Sequence, residues 1–227
     1  MGADAYILSC GAIDGMIGAV NGCRVTLDIR SHWEWIQRNT HSLAVRWWMH
    51  HWLWENDPDF LIVRGQKTST DLYPNRFWCT PHLPDQYGIW GKRMTISEAQ
   101  FWATTVLMSG GALILGDRIK TLTQKGLGML KTVFENHNSQ AAVPIDLFKK
   151  DYPELWLRKG KSASLLGILN WTSKRKHYRV DLAELGFKTN INTVHELWQN
   201  RRMGARKNIF ECLVNPHGAS LFKIIGE

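Results

Sequence analysis

No pair of the four cysteines, at positions 10, 23, 79 and 212, has the CxxC spacing of a zinc site, and they make no regular disulfide framework. Reduced thiols are expected. HExxH is also missing: His195-Glu196 runs on into LWQN, and the neighbours His50 and His51 cannot share one helical face. Neither a catalytic metal nor a cofactor is expected. GxSxG, GxGxxG and the P-loop pattern do not occur, which removes the fingerprints of serine hydrolases and of nucleotide binding. No apolar run approaches the roughly 20 residues that cross a bilayer, so no membrane partner is expected. The opening MGADAYILSCGA lacks the basic region and long apolar stretch of an export signal. Internal repeats and low-complexity tracts are absent.

What is present is an ordinary globular composition, 227 residues of which 44% are hydrophobic, enough for a real core. The formal charge is +8, but Lys and Arg are scattered among apolar segments and build no long basic block, so nucleic acid is not the expected partner. KRK at 174–176 follows NWTS and reads as a hairpin turn. Twelve tryptophans is a heavy load, suited both to cores and to sugar-stacking surfaces.

Apolar strands alternate with helical patterns over residues 5–136. AYILSC (5–10) and 22–27 read as strands, and Asn39 to Trp54 as an amphipathic helix capped by Asn39 or Thr40. FLIVRG (60–65) reads as a third strand entered through NDPD. A long loop, 66–93, follows. Ser97 and Gln100 form a capping-box pattern for a helix stopped by Gly110 and Gly111. ALILG (112–116) gives a fourth strand before a last helix ending near Asn136. About four βα units predict an α/β region, residues 1–143, with a parallel sheet equal to the second half of a (β/α)8 TIM barrel. The abrupt opening on a strand fits a first half lying elsewhere. From 144 to 227 short alternating runs between Gly, Asn and Lys turns predict an all-β, antiparallel sandwich domain.

Catalytic groups of parallel barrels sit at the C-terminal ends of strands, where Asp28 and Asp117 qualify, whereas Asp57 and Asp59 precede a strand that begins at Phe60. Paired carboxylates there are the working parts of glycosidases; the competing role for each is to cap a turn. Arg24 faces the same way as Asp28 if the strand stays regular, to bind sugar hydroxyls or to line the barrel as an ion pair. The D-x-D of NDPD, able in principle to hold a metal, reads better as a turn because of its proline. In the long loop, Tyr73, Phe77, Trp78, Tyr87 and Trp90 either form a sugar platform at the mouth of a site or anchor the loop.

GADAYILSCGA, the R-x-x-x-D of Arg24 to Asp28, LWENDPDFLIVR, SGGALILGD and NPHGASLFKI, in this order, resemble the second half of melibiase-type α-galactosidases, glycoside hydrolase families 27 and 36. The resemblance implies a retaining hydrolase of terminal α-galactosides with an aspartate nucleophile at the end of strand four and an aspartate acid/base at the end of strand six. It aligns the first strand here with strand five, the four units with strands five to eight, Asp28 with the acid/base, Arg24 with a sugar-binding arginine and Cys10 with a strand-five site residue. Asp59 and Asp117 match positions at the barrel mouth or in its packing. Trp78 and Trp90 are carried as substrate-binding candidates on the expanded loop. The nucleophile strand would precede residue 1, Ile13 replaces a usual proline, and VTL replaces the usual residues between Arg and Asp. Retention needs two carboxylates about 5 Å apart, so this chain alone is expected to be inactive and to need a missing N-terminal barrel half or an associating chain. The alternative is a non-catalytic carbohydrate-binding or assembly module.

Overall fold

The computed structural model describes residues 4–11, 14–70, 94–187, 191 and 193–225. Three short strands, β1 (Leu8–Cys10), β2 (Gly22–Arg24) and β3 (Glu55–Asp57), lie side by side and parallel. Their register sets Leu8, Gly22 and Glu55 in one row and Cys10, Arg24 and Asp57 two rows on. The first row needs its glycine: a Cβ at Gly22 would lie 2.3 Å from the Tyr6 hydroxyl, which crosses the row to donate to Glu55 Oε2 at 2.8 Å.

Helix α1 (Trp33–Arg46) links β2 to β3 and starts six residues before the expected boundary. His32 caps it, its Nδ1 accepting from the Glu34 amide, while Asn39 and Thr40 are buried in mid-helix. These polar residues serve tertiary contacts instead: Asn39 bonds both the amide and the carbonyl of Leu27, and the Thr40 and Thr105 hydroxyls meet at 3.1 Å.

The third strand also differs from the reading. The ladder uses Glu55–Asp57, not 60–65, because Pro58 and a left-handed Asp59 (φ 71°) turn the chain out of it. The apolar run beyond is still buried, with Leu61 bridged to Leu115 and Gly65 to Met94, both parallel. Asp57 therefore ends a strand and Asp59 follows it, rather than both preceding one.

Helix α2 (Ile96–Ser109) is apolar on nearly all sides because it is covered on all sides. Its capping box is Thr95 with Glu98, two residues before the Ser97–Gln100 pattern, and Gly110 ends it at φ 67°. Helix α3 (Gln124–Asn136) packs beside it.

The remaining strands are β4 (Val143–Pro144), β5 (Leu155–Arg158), β6 (Ser164–Asn170), β7 (Lys176–Asp181), β8 (Thr193–Glu196), β9 (Arg201–Gly204), β10 (Ile209–Val214) and β11 (Gly218–Ile224). Six form an antiparallel sheet in the order β4-β5-β6-β11-β8-β9, and β7 pairs with β10 in a second sheet. The chain thus combines helices and sheets and ends in a sandwich-like antiparallel part. One face of the large sheet offers Leu166, Ile168, Phe222 and Ile224 to Tyr178, Val180, Phe210 and Val214. The other offers Trp156, Leu165, Leu169 and Leu221 to α2 and the βα region. All seven residues of β6 are buried as a result.

A buried cation fastens this junction. Arg158 on β5 donates from Nη1 to the Leu107 carbonyl and from Nη2 to the Asn136 carbonyl, acceptors at the C-terminal ends of α2 and α3. Such carbonyls lack helical partners, and their partial negative charge suits a cation. Burial without a carboxylate pulls the guanidinium down to about 10. Arg158→Leu leaves two buried carbonyls unpaired, and we expect it to cost roughly 3 kcal/mol in urea unfolding; a change under about 1 kcal/mol would show that the helix ends find other partners.

Candidate active site

The row Cys10, Arg24, Asp57 stands at the C-terminal ends of the three parallel strands, where the loops open. Beyond Arg24 the strand stops, and the segment to Ile29 is held by its neighbours. Val25 donates to the Asp57 carbonyl, Ser42 Oγ donates to the Val25 carbonyl, Asn39 grips both sides of Leu27, and Ile29 donates to Asp59 Oδ2 at 2.6 Å. Asp28 lies inside that clamped segment. Its side chain is 69% exposed, and Arg24 Nη2 reaches its Oδ1 at 2.8 Å.

Arg24 is the hub. Nη2 also contacts Cys10 Sγ at 2.7 Å, and Nη1 lies 3.6 Å from Oδ1 of Asp59, a side chain only 6% exposed. Its Nε is buried and has no hydrogen-bond partner among the described residues. The left-handed Asp59 is fixed by its own amide donating to Asp57 Oδ1 at 2.8 Å. One guanidinium thus ties β1, β2 and the turn after β3, with Asp28 as the carboxylate left open to solvent.

Burial pushes the carboxyls of Asp57 and Asp59 above their usual range, against the pull of the Asp59 amide on the first and of the Ile29 and Phe60 amides on the second. Arg24 opposes the shift in both.

Four of the sequence candidates, Cys10, Arg24, Asp28 and Asp59, come together here. Asp117 does not join them: buried, it accepts from the Val63 amide at 2.6 Å and from Arg64 Nη1 at 3.0 Å, which braces its loop against the 61–65 segment. Trp78 and Trp90, with the rest of the aromatic loop, lie outside the described residues. Sequence reasoning missed Asn39 as the clamp on the Asp28 segment. The available signal was an amide on the apolar side of a helix, one turn from Leu43, where only a hydrogen-bonded Asn belongs. No three His, Cys, Asp or Glu side chains among the described residues are arranged to hold a metal ion.

Residues 150–224 match the family model described as the alpha galactosidase C-terminal beta sandwich domain. Among solved structures, the chain resembles a GH27 β-L-arabinopyranosidase from Geobacillus stearothermophilus in complex with arabinose, at 18% identity and a TM-score of 0.71, over 92% of this chain and 46% of that one. It resembles α-galactosidase I from Mortierella vinacea at 14% identity and a TM-score of 0.66, over 93% of this chain and 54% of the other. For an α-galactosidase from Saccharomyces cerevisiae the values are 12% and 0.60, over 92% and 60%. At such identities the likeness is one of fold, and the chain spans about half the length of these proteins. Both kinds of match agree with the resemblance to the C-terminal part of a melibiase-type enzyme.

A raised folded-state carboxyl binds more protons folded than unfolded, so its contribution to stability is complete below about pH 4 and fades as the pH climbs through the folded value. For Asp57 we expect the stability gap between the wild type and Asp57→Asn to shrink from pH 4 to pH 7 in urea titrations. A gap that widens with pH contradicts the burial assignment.

Proposed function

We propose that this chain supplies the acid/base side of a retaining glycosidase site for galacto-configured pyranosides, with Asp28 as general acid and base. Residues 1–143 then act as the second half of a (β/α)8 barrel and residues 144–227 as its following β-sandwich domain. The observation that carries the reading is the placing of Asp28: solvent-facing beyond the C-terminal end of a parallel strand, held by Arg24, and on a segment clamped by Asn39 and Asp59.

The half-barrel reading draws on the face that carries Arg24. Side chains alternate along strands, so Leu8 shares the side of Cys10 on β1. A Cβ on Gly116 would meet Phe60 Cβ at 2.6 Å, so those two residues lie against each other. Leu8, Phe60 and Ile114 are all exposed, as are Tyr6 and Ile7 just before β1, an edge strand of its sheet. Large apolar groups on the inner face of a parallel sheet are normally covered. A preceding set of βα units would cover them and bring the second carboxylate.

In such a site Asp28 donates its proton to the departing glycosidic oxygen while a carboxylate from the preceding units attacks the anomeric carbon; Asp28 then takes a proton from the water that releases the sugar. The guanidinium of Arg24, whose side chain is 24% exposed, supplies a donor for a sugar hydroxyl. Cys10 and Arg24 line the sugar pocket, and Asp59 keeps the guanidinium in place. An α-D-galactopyranoside and a β-L-arabinopyranoside share their ring hydroxyl arrangement and differ at the exocyclic carbon, so both are substrate candidates, in line with the relatives' activities.

The test is aryl α-galactoside and aryl β-L-arabinopyranoside hydrolysis by this chain alone and by the chain joined to, or co-expressed with, a first barrel half encoded upstream. We expect no turnover by the chain alone, turnover by the completed protein, and a loss of at least about 100-fold in Asp28→Ala. Activity that survives Asp28→Ala unchanged removes Asp28 from the role. A completed protein that binds sugar without turnover points to the carbohydrate-binding or assembly module.

A further inference from the structure

The charge of +8 is unevenly spread. Residues 1–143 hold 13 Lys and Arg against 12 Asp and Glu, whereas residues 144–227 hold 15 against 8. The excess belongs to the β part. Some of its cations are spent internally, Arg158 on helix ends and Lys150 and Lys176 on Asp146 and Glu154. Arg179, Arg202, Arg206 and Lys207 are exposed and form no ion pair with any described residue.

These four lie around one feature. Strand β9 is an edge of the large sheet, and a side chain at its Gly204 would meet nothing within 4 Å. Arg202, two residues earlier, emerges on the same side. The chain passes into β10 through a two-residue turn: Arg206 pairs with Ile209, and Lys207 and Asn208 take φ of 51° and 65°. Two positive φ values mark a type I′ turn, which favours Asn and Gly, so the first of its two central positions carries a charge where glycine fits with less strain. Gly204, Arg206, Lys207, Ile209, Phe210 and Glu211 line an open groove of about 410 Å³. Arg179 stands opposite Glu211 across the β7–β10 pair, and Glu211 itself faces His177 at 3.3 Å.

We propose that this groove binds an acidic polysaccharide, its uronate carboxylates or sulfates resting on Arg206 and Lys207 at the rigid turn and on Arg202 and Arg179 at the flanks. A tight turn fixes the backbone that carries these two cations, and arginine forks suit carboxylate and sulfate oxygens. Nucleic acid fits less well, since among the described residues no exposed Phe, Tyr or Trp lies beside the groove to stack a base and no helix stands there to enter a major groove. A lipid surface fits less well too, because Leu213 is the one large apolar side chain exposed on β7 or β10 among the described residues. This assignment does not depend on the role of Asp28.

Binding of the 227-residue chain to polygalacturonate, measured by titration over a salt series, tests it. Affinity should fall steeply with salt, and Arg206→Gln with Lys207→Asn should weaken binding by about 25-fold at low salt, on a basis of roughly fivefold per cation. Lys120→Gln with Lys125→Gln, far from the groove in sequence, and Asp28→Ala should bind as the wild type does. Circular dichroism checks that each variant is folded. Absence of binding at low salt overturns the proposal. Unchanged binding by the Arg206/Lys207 variant overturns the site, and duplex DNA or phosphatidylserine vesicles bound as tightly as polygalacturonate overturn the ligand class.

Discussion

The ordering of the parallel end of this molecule depends on one guanidinium. Arg24 touches Cys10 from β1, Asp28 from its own loop and Asp59 from the turn after β3. Its contacts differ sharply in setting. Asp59 is buried and its Oδ2 accepts from the Ile29 amide, so its place is fixed; Asp28 is in solvent, where an isolated ion pair contributes about 1 kcal/mol at most. The buried side therefore positions the arginine, and the arginine positions the exposed carboxylate. On the role proposed for Asp28, the first contact serves stability and the second chemistry.

That division explains what the sequence could disclose. Periodicity located the βα alternation and the change to short antiparallel strands, because burial demands an apolar face and the period follows from the element. It misplaced the third strand, since Glu55-Asn56-Asp57 carries no apolar signal: its Asn56 is buried but satisfied by Trp54, His50 and the Arg46 carbonyl. It misassigned Asn39 and Thr40 as caps for the same reason, a polar residue being equally at home at a helix end and in a buried hydrogen bond. Arg24 and Asp28 were legible as a spaced pair. Their contact was foreseen from a regular strand, yet it forms although the strand ends at Arg24. The left-handed turn at Asp59 could not be read, because the aspartate stands where glycine would have announced it.

The two parts of the chain are joined by different physics from the site. Helix α2 lies between the βα region and the large sheet, and Arg158 draws the ends of α2 and α3 onto β5. Trp33, at the start of α1, stacks on His217 at 4.0 Å and meets Phe101 edge-on, which carries the packing from the Asp28 loop to the turn before β11. The sandwich thus braces the helix that follows the Asp28 segment. Its cationic edge at β9 and β10 belongs to the other core, where it is free to serve a separate ligand.

General acid catalysis by Asp28 has a signature that a supporting role lacks, namely dependence on the leaving group. The direct measurement is kcat/KM of the completed protein and its Asp28→Ala form across galactosides whose leaving groups range from alkyl alcohols to dinitrophenol. If Asp28 donates the proton, the variant loses most on the alkyl glycosides, which need a proton to depart, and least on the dinitrophenyl compound. A loss of the same size across the whole series would mean that Asp28 holds the site together without giving up a proton, and would contradict the account.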